Sequence, residues 1–293
     1  MNTDFPTPLI DATTLRAWMA SGRPVCIVDC SFELTDPHAG RAQYRSGHIP
    51  GARYAHLDHD LSARPGETAV NGGRHPLPTR EAMIERLRAW GVRQGEPVVV
   101  YDRQGGIVCG RLWWLLRWCG HAPVTVLDGG WRAWLAAEGP VAAGDEPHAP
   151  SVGDATLGEA GVTLRTLPEV VRDLGRPTQT LVDARASARF RGETEPLDPV
   201  AGHIPGALNR PFTDNFGPDG RFKDAATLRR EWDALLAGHD PATVVHYCGS
   251  GVSAIPNLLA LHVAGLGLAP LYAGGWSEWS RAEPGLPCAR HVP

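Results

Sequence analysis

No apolar stretch of the 293 residues approaches the length of a membrane-spanning helix, so no transmembrane segment is expected. The chain also lacks a basic block. Its 28 Lys and Arg and 32 Asp and Glu are interspersed and leave a net charge of −4, which argues against nucleic acid as the main partner. From Met1 to Leu15 there is no basic stretch followed by an apolar run, so no secretory signal is expected and the cytoplasm is the expected compartment. Among the six cysteines, Cys26, Cys30, Cys109, Cys119, Cys248 and Cys288, no Cys-x-x-Cys pair occurs and none has a His at zinc-site spacing. No metal or cofactor is therefore expected, and reduced, mostly buried thiols are the default. Nor is any segment depleted in apolar residues as disorder requires, since 43% of the chain is hydrophobic.

What is present is a sequence written twice. Gly47-His48-Ile49-Pro50-Gly51-Ala52 recurs as Gly202-His203-Ile204-Pro205-Gly206-Ala207, and Val28-Asp29 recurs as Val182-Asp183. Val99-Val100-Tyr101-Asp102 aligns with Val245-His246-Tyr247-Cys248, and Gly129-Gly130-Trp131 with Gly274-Gly275-Trp276. The last pair is followed by Trp134 and Trp279. Four matched blocks in one order indicate a duplicated domain.

Each half alternates strands with helices. In the first, strands are predicted over Val25–Val28, Pro97–Tyr101 and Val124–Leu127, with helices over Thr79–Trp90 and Gly106–Cys119. In the second, strands are predicted over Thr180–Val182, Thr243–Tyr247 and Leu271–Tyr272, with helices over Ala225–Leu236 and Val252–Ala264. Near-continuous apolar strands alternating with helices predict an α/β fold with a parallel sheet covered on both faces. Pro256 fits the last helix only if that helix begins near Val252 or Ser253, where a missing N–H costs nothing.

That placement puts Cys248-Gly249-Ser250-Gly251-Val252-Ser253 on a strand-to-helix turn, where α/β domains bind anions. Two glycines let successive N–H groups converge on one centre, and hydroxyls of Ser250 and Ser253 add donors. Such a cradle stabilises a thiolate or persulfide anion. The matching position in the first half is Asp102, and a carboxylate cannot carry sulfane sulfur. Cys109, on the apolar helix nearby, reads as core.

The Cys-Gly-Ser-Gly-Val-Ser loop resembles the active-site loop of the tandem-domain rhodanese family of sulfurtransferases, in its 3-mercaptopyruvate branch. The likeness runs over nearly the whole chain through the paired Gly-His-Ile-Pro-Gly-Ala and Gly-Gly-Trp blocks. It implies two tandem rhodanese-like domains: residues 1–140 catalytically silent, 141–160 a linker, and 161–293 catalytic. It also implies a ping-pong reaction in which a small-molecule donor passes sulfur to Cys248 and the persulfide passes it to a thiol, cyanide or a thioredoxin. A monomer is expected, because the duplication already supplies an intramolecular domain pair.

Thiosulfate-specific members resemble Cys-Arg-Lys-Gly-Val-Thr, whereas Gly249 and Ser250 leave this loop neutral. Each charge-assisted contact to a dianion is worth about 1.5–3 kcal/mol, so the loop favours mercaptopyruvate, with thiosulfate as the alternative donor. By position in the family's substrate-binding segment, Arg189 is implied to hold the donor, with Arg191 as a second candidate. The family's Glu-Pro-Arg reads Glu195-Pro196-Leu197 here, and Leu197 cannot bind a carboxylate. His48 and His203, in matched turns, are expected to share a structural duty, although the resemblance also allows a first-domain histidine that works with the loop serine. His246 is expected to be a satisfied core histidine, and Trp131, Trp134, Trp276 and Trp279 core and domain-interface anchors. A phosphatase loop of Cys-x5-Arg is ruled out, because Ala254 stands in the arginine's place. A non-catalytic rhodanese-type binding module remains open as a reading from a different class.

Overall fold

A computed structural model of the chain describes residues 7–146 and 151–290. Residues 147–150 of the expected linker and the first six of the N-terminal segment lie outside the described residues. The chain forms two compact units, one of Met1–Thr68, Pro78–Gly161 and Pro218–Phe222, the other of Ala69–Leu77, Val162–Gly217 and Lys223–Pro293. Each unit thus takes in a short segment from the other half of the sequence. Among the described residues no helix is long and apolar enough to cross a membrane.

In the first unit the elements run β1 (Leu9–Ile10), α1 (Ala12–Ala20), β2 (Cys26–Asp29), α2 (Ala39–Ser46), β3 (Arg53–Tyr54) and α3 (Arg80–Ala89). They continue with β4 (Val98–Tyr101), α4 (Ile107–Trp118), β5 (Val124–Leu127) and α5 (Gly130–Ala136). The second repeats the pattern with β6 (Leu164–Arg165), α6 (Leu167–Arg172), β7 (Thr180–Asp183), α7 (Ser187–Arg191) and β8 (Leu208–Asn209). Then come α8 (Ala225–Leu235), β9 (Val244–Tyr247), α9 (Ile255–Val263), β10 (Leu271–Tyr272) and α10 (Gly275–Trp279), with single turns of 3-10 helix at Phe212–Asn215 and Pro241–Thr243. The sheets are parallel and have one topology, β1-β5-β4-β2-β3 and β6-β10-β9-β7-β8.

The strand pattern follows from burial on both faces. Every residue of β4 (Val-Val-Val-Tyr) and β9 (Val-Val-His-Tyr) is buried, and branched side chains suit that setting. Thr79 caps α3 by accepting from the Ala82 N–H at 3.1 Å. Beyond the expected linker's undescribed residues, the chain runs along the first unit rather than hanging free. Ala155 N–H donates to Val92 O at 3.2 Å, Gly158 N–H to Cys119 O at 2.9 Å, and Gly161 N–H to Arg117 O at 2.9 Å.

The repeated Gly-His-Ile-Pro-Gly turns do share a structural duty. The His48 Nδ1–H donates to the Tyr44 carbonyl at 2.8 Å and its ring stacks on Tyr44 at 4.0 Å. His203 does the same with Phe190, at 2.7 Å and 3.7 Å. The next residue's N–H in each turn donates to a strand tyrosine hydroxyl, Ile49 to Tyr101 at 3.1 Å and Ile204 to Tyr247 at 3.3 Å. Trp134, Trp276 and Trp279 are core, and Trp131 is partly buried. Their indole N–H groups reach Pro140 O from Trp134, Val200 O from Trp276 and Pro287 O from Trp279.

Two expectations need correction. The last long helix begins at Ile255, three residues later than Pro256 alone required, so Val252–Ala254 belong to the loop; Pro256 still falls in the first turn. His246 is buried but not satisfied, because among the described residues neither ring nitrogen has a hydrogen-bond partner, and the ring meets Trp232 edge-on at 5.5 Å. Burial pushes its pKa down to about 3, with the nearby Arg210 charge adding to the effect.

Candidate functional site

At the end of β4, the first unit displays what its loop can hold. The Asp102 Oδ1 accepts from the N–H groups of Gln104 at 3.0 Å and Gly106 at 2.8 Å. Its Oδ2 accepts from Val108 at 2.8 Å and Cys109 at 3.0 Å. Four backbone donors thus converge on one buried negative charge.

Cys248 stands at the equivalent point after β9 and is only 1% exposed. Gly251 has φ +70, and a Cβ there would meet the Ala273 carbonyl oxygen at 2.3 Å, so the loop's curl requires glycine. The Gly-Gly-Trp blocks clamp both loops. Trp276 N–H donates to Cys248 O at 2.7 Å, and Trp131 N–H to Asp102 O at 3.0 Å. Gly275 and Gly130 have φ of +59 and +53, and a Cβ would meet those same oxygens at 2.5 and 2.3 Å. The repeated glycines are therefore the close approach that holds each cradle.

A guanidinium has changed its place of origin between the units. In the first, Arg103 follows Asp102, pairs with Asp29 at 3.1 Å, donates to Gln43 O and Gly47 O, and lies 4.7 Å over Trp131. In the second, the same position beneath the sheet end is filled by Arg185, which pairs with Asp183 at 2.6 Å, donates to Gly202 O at 2.7 Å and lies 4.8 Å over Trp276. With that duty moved to β7's end, the residue after Cys248 is free to be Gly249.

Around Gly249 the structure gathers residues that local patterns did not join. Arg189, on α7, places Nη1 and Nη2 3.8 and 3.9 Å from where a Gly249 Cβ would be. Its Nε and Nη2 are held by Glu195, at 3.3 and 2.6 Å. Arg191 instead forks onto Glu193, with both side chains exposed. Leu197 is exposed, and Asp198 beside it is fully buried between Arg74 at 2.7 Å and Arg281 at 2.6 Å. In this network Arg74, Arg185, Arg189 and Arg281 face Asp183, Glu195 and Asp198, an excess of one positive charge beside the loop. Ser250 is buried with its hydroxyl 2.8 Å from His75 Nδ1. Val252 is buried, and Ser253 is half-buried.

Arg74 and His75 were not expected at the site. The histidine that meets the loop serine is His75, not His48, and it comes from the 69–77 segment that belongs to the second unit. One signal lay in the sequence. Gly73-Arg74-His75 precedes the N-cap Thr79 much as Gly220-Arg221-Phe222 precedes the N-cap Asp224. Those latter residues lie in the first unit, where Phe222 N–H donates to Asp128 at 2.9 Å. The two halves differ there as Cys248 and Asp102 differ: one carries an imidazole, the other a phenyl ring.

The other cysteines have no such setting. Burial pushes the Cys26 and Cys119 thiols up to about 12, and those of Cys30 and Cys109 well above their ordinary value.

Comparison with known proteins agrees with the duplication. The rhodanese-like domain family matches residues 11–137 and again 166–282. The chain is 47% identical to a probable 3-mercaptopyruvate sulfurtransferase of Pseudomonas aeruginosa, over 92% of this chain and 94% of that one. It is 40% identical to a putative thiosulfate sulfurtransferase of Mycobacterium tuberculosis, over 96% of each. Among solved structures, the 3-mercaptopyruvate sulfurtransferase from Leishmania major superposes with a TM-score of 0.79 at 30% identity, covering 94% of this chain and 75% of that one.

Proposed function

The chain belongs to the rhodanese family as a tandem-domain sulfurtransferase, and we propose that its Cys248 carries sulfur from 3-mercaptopyruvate to a thiol or cyanide as a persulfide. The single observation that carries the assignment to Cys248 is the Asp102 carboxylate held by four amides at the equivalent turn. A loop of this design binds one negative charge, and in the second unit the residue that delivers it is a cysteine.

The Cys248 thiolate attacks the donor sulfur, forming an S–S bond as the donor's C–S bond breaks. The electron pair leaves on the donor's methylene carbon as an enolate, the donor's S–H proton ends on that carbon, and pyruvate departs. Atoms and charge balance: thiolate and mercaptopyruvate give persulfide anion and pyruvate, with no outside oxidant. Gly249, Ser250, Gly251, Val252 and Ser253 supply the cradle for the new anion. Ser250, held by His75, is placed to relay the proton. Arg189 offers Nη1 to the donor's carboxylate, while Arg191 is on the exposed surface and has no part in this reading. In the second half-reaction cyanide takes the outer sulfur as thiocyanate, or a thiol takes it as a persulfide, and the thiolate returns. A thioredoxin is a fitting protein acceptor, and a reducing compartment such as the cytoplasm keeps Cys248 a thiol. The first unit is silent because Asp102 cannot bind sulfane sulfur, and one chain suffices for the cycle, so we assign a monomer.

A second reading, thiosulfate as donor, is favoured by the guanidinium groups of Arg74 and Arg189 beside Gly249, which return to a neutral loop the charge that a dianion needs. Intact mass after mixing with 3-mercaptopyruvate should rise by one sulfur, and Cys248→Ser should abolish the gain. Uptake by the Ser variant would move the chemistry elsewhere. Steady-state kcat/KM should be higher with mercaptopyruvate than with thiosulfate, and the reverse order would give the donor site to the dianion.

A further inference from the structure

Two neighbouring side chains of α10 hold the segment that brings His75 to the loop. Glu278 Oε1 accepts from the Gly72 N–H at 2.6 Å, and Ser277 Oγ accepts from the Arg74 N–H at 2.9 Å. Ser277 is fully buried, and its own N–H donates to the Gly249 carbonyl at 2.8 Å, so one residue ties the cysteine loop to the 69–77 segment. Between the two held amides, Gly73 has φ +92, and a Cβ there would meet the Gly274 carbonyl oxygen and Ser277 Oγ, each at 2.7 Å. Within the segment, Val70 N–H donates to Leu77 O at 3.0 Å and Leu77 N–H to Asn71 Oδ1 at 3.0 Å, so a pull on Gly72 is felt at its far end. His75 directly follows the second held amide, and its Nδ1 stands 2.8 Å from Ser250 Oγ.

The duplicated helix folds without these two side chains. In α5 the matched positions are Arg132, which is exposed, and Ala133, yet Trp131 clamps its loop as Trp276 does. The 218–222 segment is caught in the first unit by a different residue, Asp128, whose match in the second is Ala273. Gly274 points the same way. Its φ is −62, which any residue adopts, whereas the matched Gly129 has φ +77; a Cβ at 274 would fall on the Glu278 carboxylate. From this geometry, and resting on the Ser250–His75 relay proposed above, we infer that Ser277 and Glu278 are positioning residues for sulfur transfer: they pin Gly72 and Arg74 so that the His75 imidazole is held on Ser250. Proton relay needs heavy atoms about 2.6–3.2 Å apart, and a segment released at Gly72 would not keep that separation. Gly274 is kept bare to admit the carboxylate that does the pinning.

The test follows one-sulfur uptake at Cys248 from 3-mercaptopyruvate in the full chain by rapid-quench mass spectrometry, with hydrogen exchange of residues 69–77 read in parallel. Glu278→Ala should slow uptake about tenfold and lose exchange protection at Gly72 and Arg74. Glu278→Gln, whose carbonyl oxygen can still accept the Gly72 N–H, should stay within about threefold of the native rate. Ser277→Ala should act as Glu278→Ala does, and if that variant does not fold, the Glu278 pair decides alone. In a His75→Ala background, which is itself slow, adding Glu278→Ala should cost almost nothing more, since the latch acts through the imidazole. Arg132→Ala, at the matched place in the first unit, should leave uptake unchanged. Native uptake in Glu278→Ala, an equal loss in Glu278→Gln, or the same Glu278→Ala cost with and without His75 would each overturn the assignment. The function fails by a different sign: a native chain that takes no sulfur from 3-mercaptopyruvate sinks it, and the exchange readout then still decides whether Glu278 holds the segment.

Discussion

Replacing Asp102 by Asn tests the physical basis of the sulfur cradle in the unit where it can be measured apart from catalysis. The carboxylate accepts two N–H groups on each oxygen, at 2.8–3.0 Å, and the residue is fully buried. Asparagine keeps the shape but presents an NH2 where one oxygen stood, so two backbone donors face another donor. Each unsatisfied buried donor costs about 1–3 kcal/mol, and the remaining pair loses charge assistance. The expected destabilisation of the first unit is therefore about 3–6 kcal/mol, a large part of the 5–15 kcal/mol typical of a domain. Urea unfolding of the full chain followed by tryptophan fluorescence and far-ultraviolet dichroism should resolve an early transition in the variant. Trp113 and Trp114 of α4, both buried, report on that unit. A shift below about 1 kcal/mol would mean that the amides are not organised around a negative charge. Cys248 would then lose the observation on which its role rests.

Two further outcomes follow from the same geometry. Gly275→Ala forces a Cβ to within 2.5 Å of the Cys248 carbonyl at φ +59. It should slow sulfur uptake at least tenfold, whereas the matched Gly130→Ala, which strains the Asp102 carbonyl, should destabilise the first unit and leave uptake intact; rapid-quench mass spectrometry and urea titration separate the two. His246, with its pKa lowered to about 3, stays neutral in the folded chain while the unfolded chain binds a proton below about pH 6.5. Its contribution is therefore lost as pH falls from about 6.5 toward 3, at up to about 1.4 kcal/mol per pH unit. His246→Leu, which sacrifices no hydrogen bond, should flatten that acid side of the stability profile; an unchanged slope between pH 6.5 and 4 would contradict it.

Much of the fold was legible because it rests on short-range rules. Strand and helix positions follow from runs of branched residues and from caps such as Thr79, and the duplication doubles each signal. Arg191 shows a local rule left unused. Two residues along a helix project roughly 200° apart, so Arg189 and Arg191 on α7 could not both face the loop. The start of α9 was misplaced because the first four N–H groups of a helix lack an intrahelical partner, so Pro256 is compatible with a start near Val252 as well as with the observed start at Ile255.

By itself, the amino-acid sequence determined the repeat and the parallel α/β architecture, and it singled out Cys248 as the candidate for the reacting thiol. Cys248 and Asp102 occupy matched turns, and only a thiol bears sulfur. Tertiary structure alone decided what surrounds that thiol. His75 meets Ser250 across 175 residues, and Arg74 meets Asp198 across 124. No periodicity encodes separations of that length. They arise because residues 69–77 pack into the second unit, where the bare Gly249 leaves room for a guanidinium.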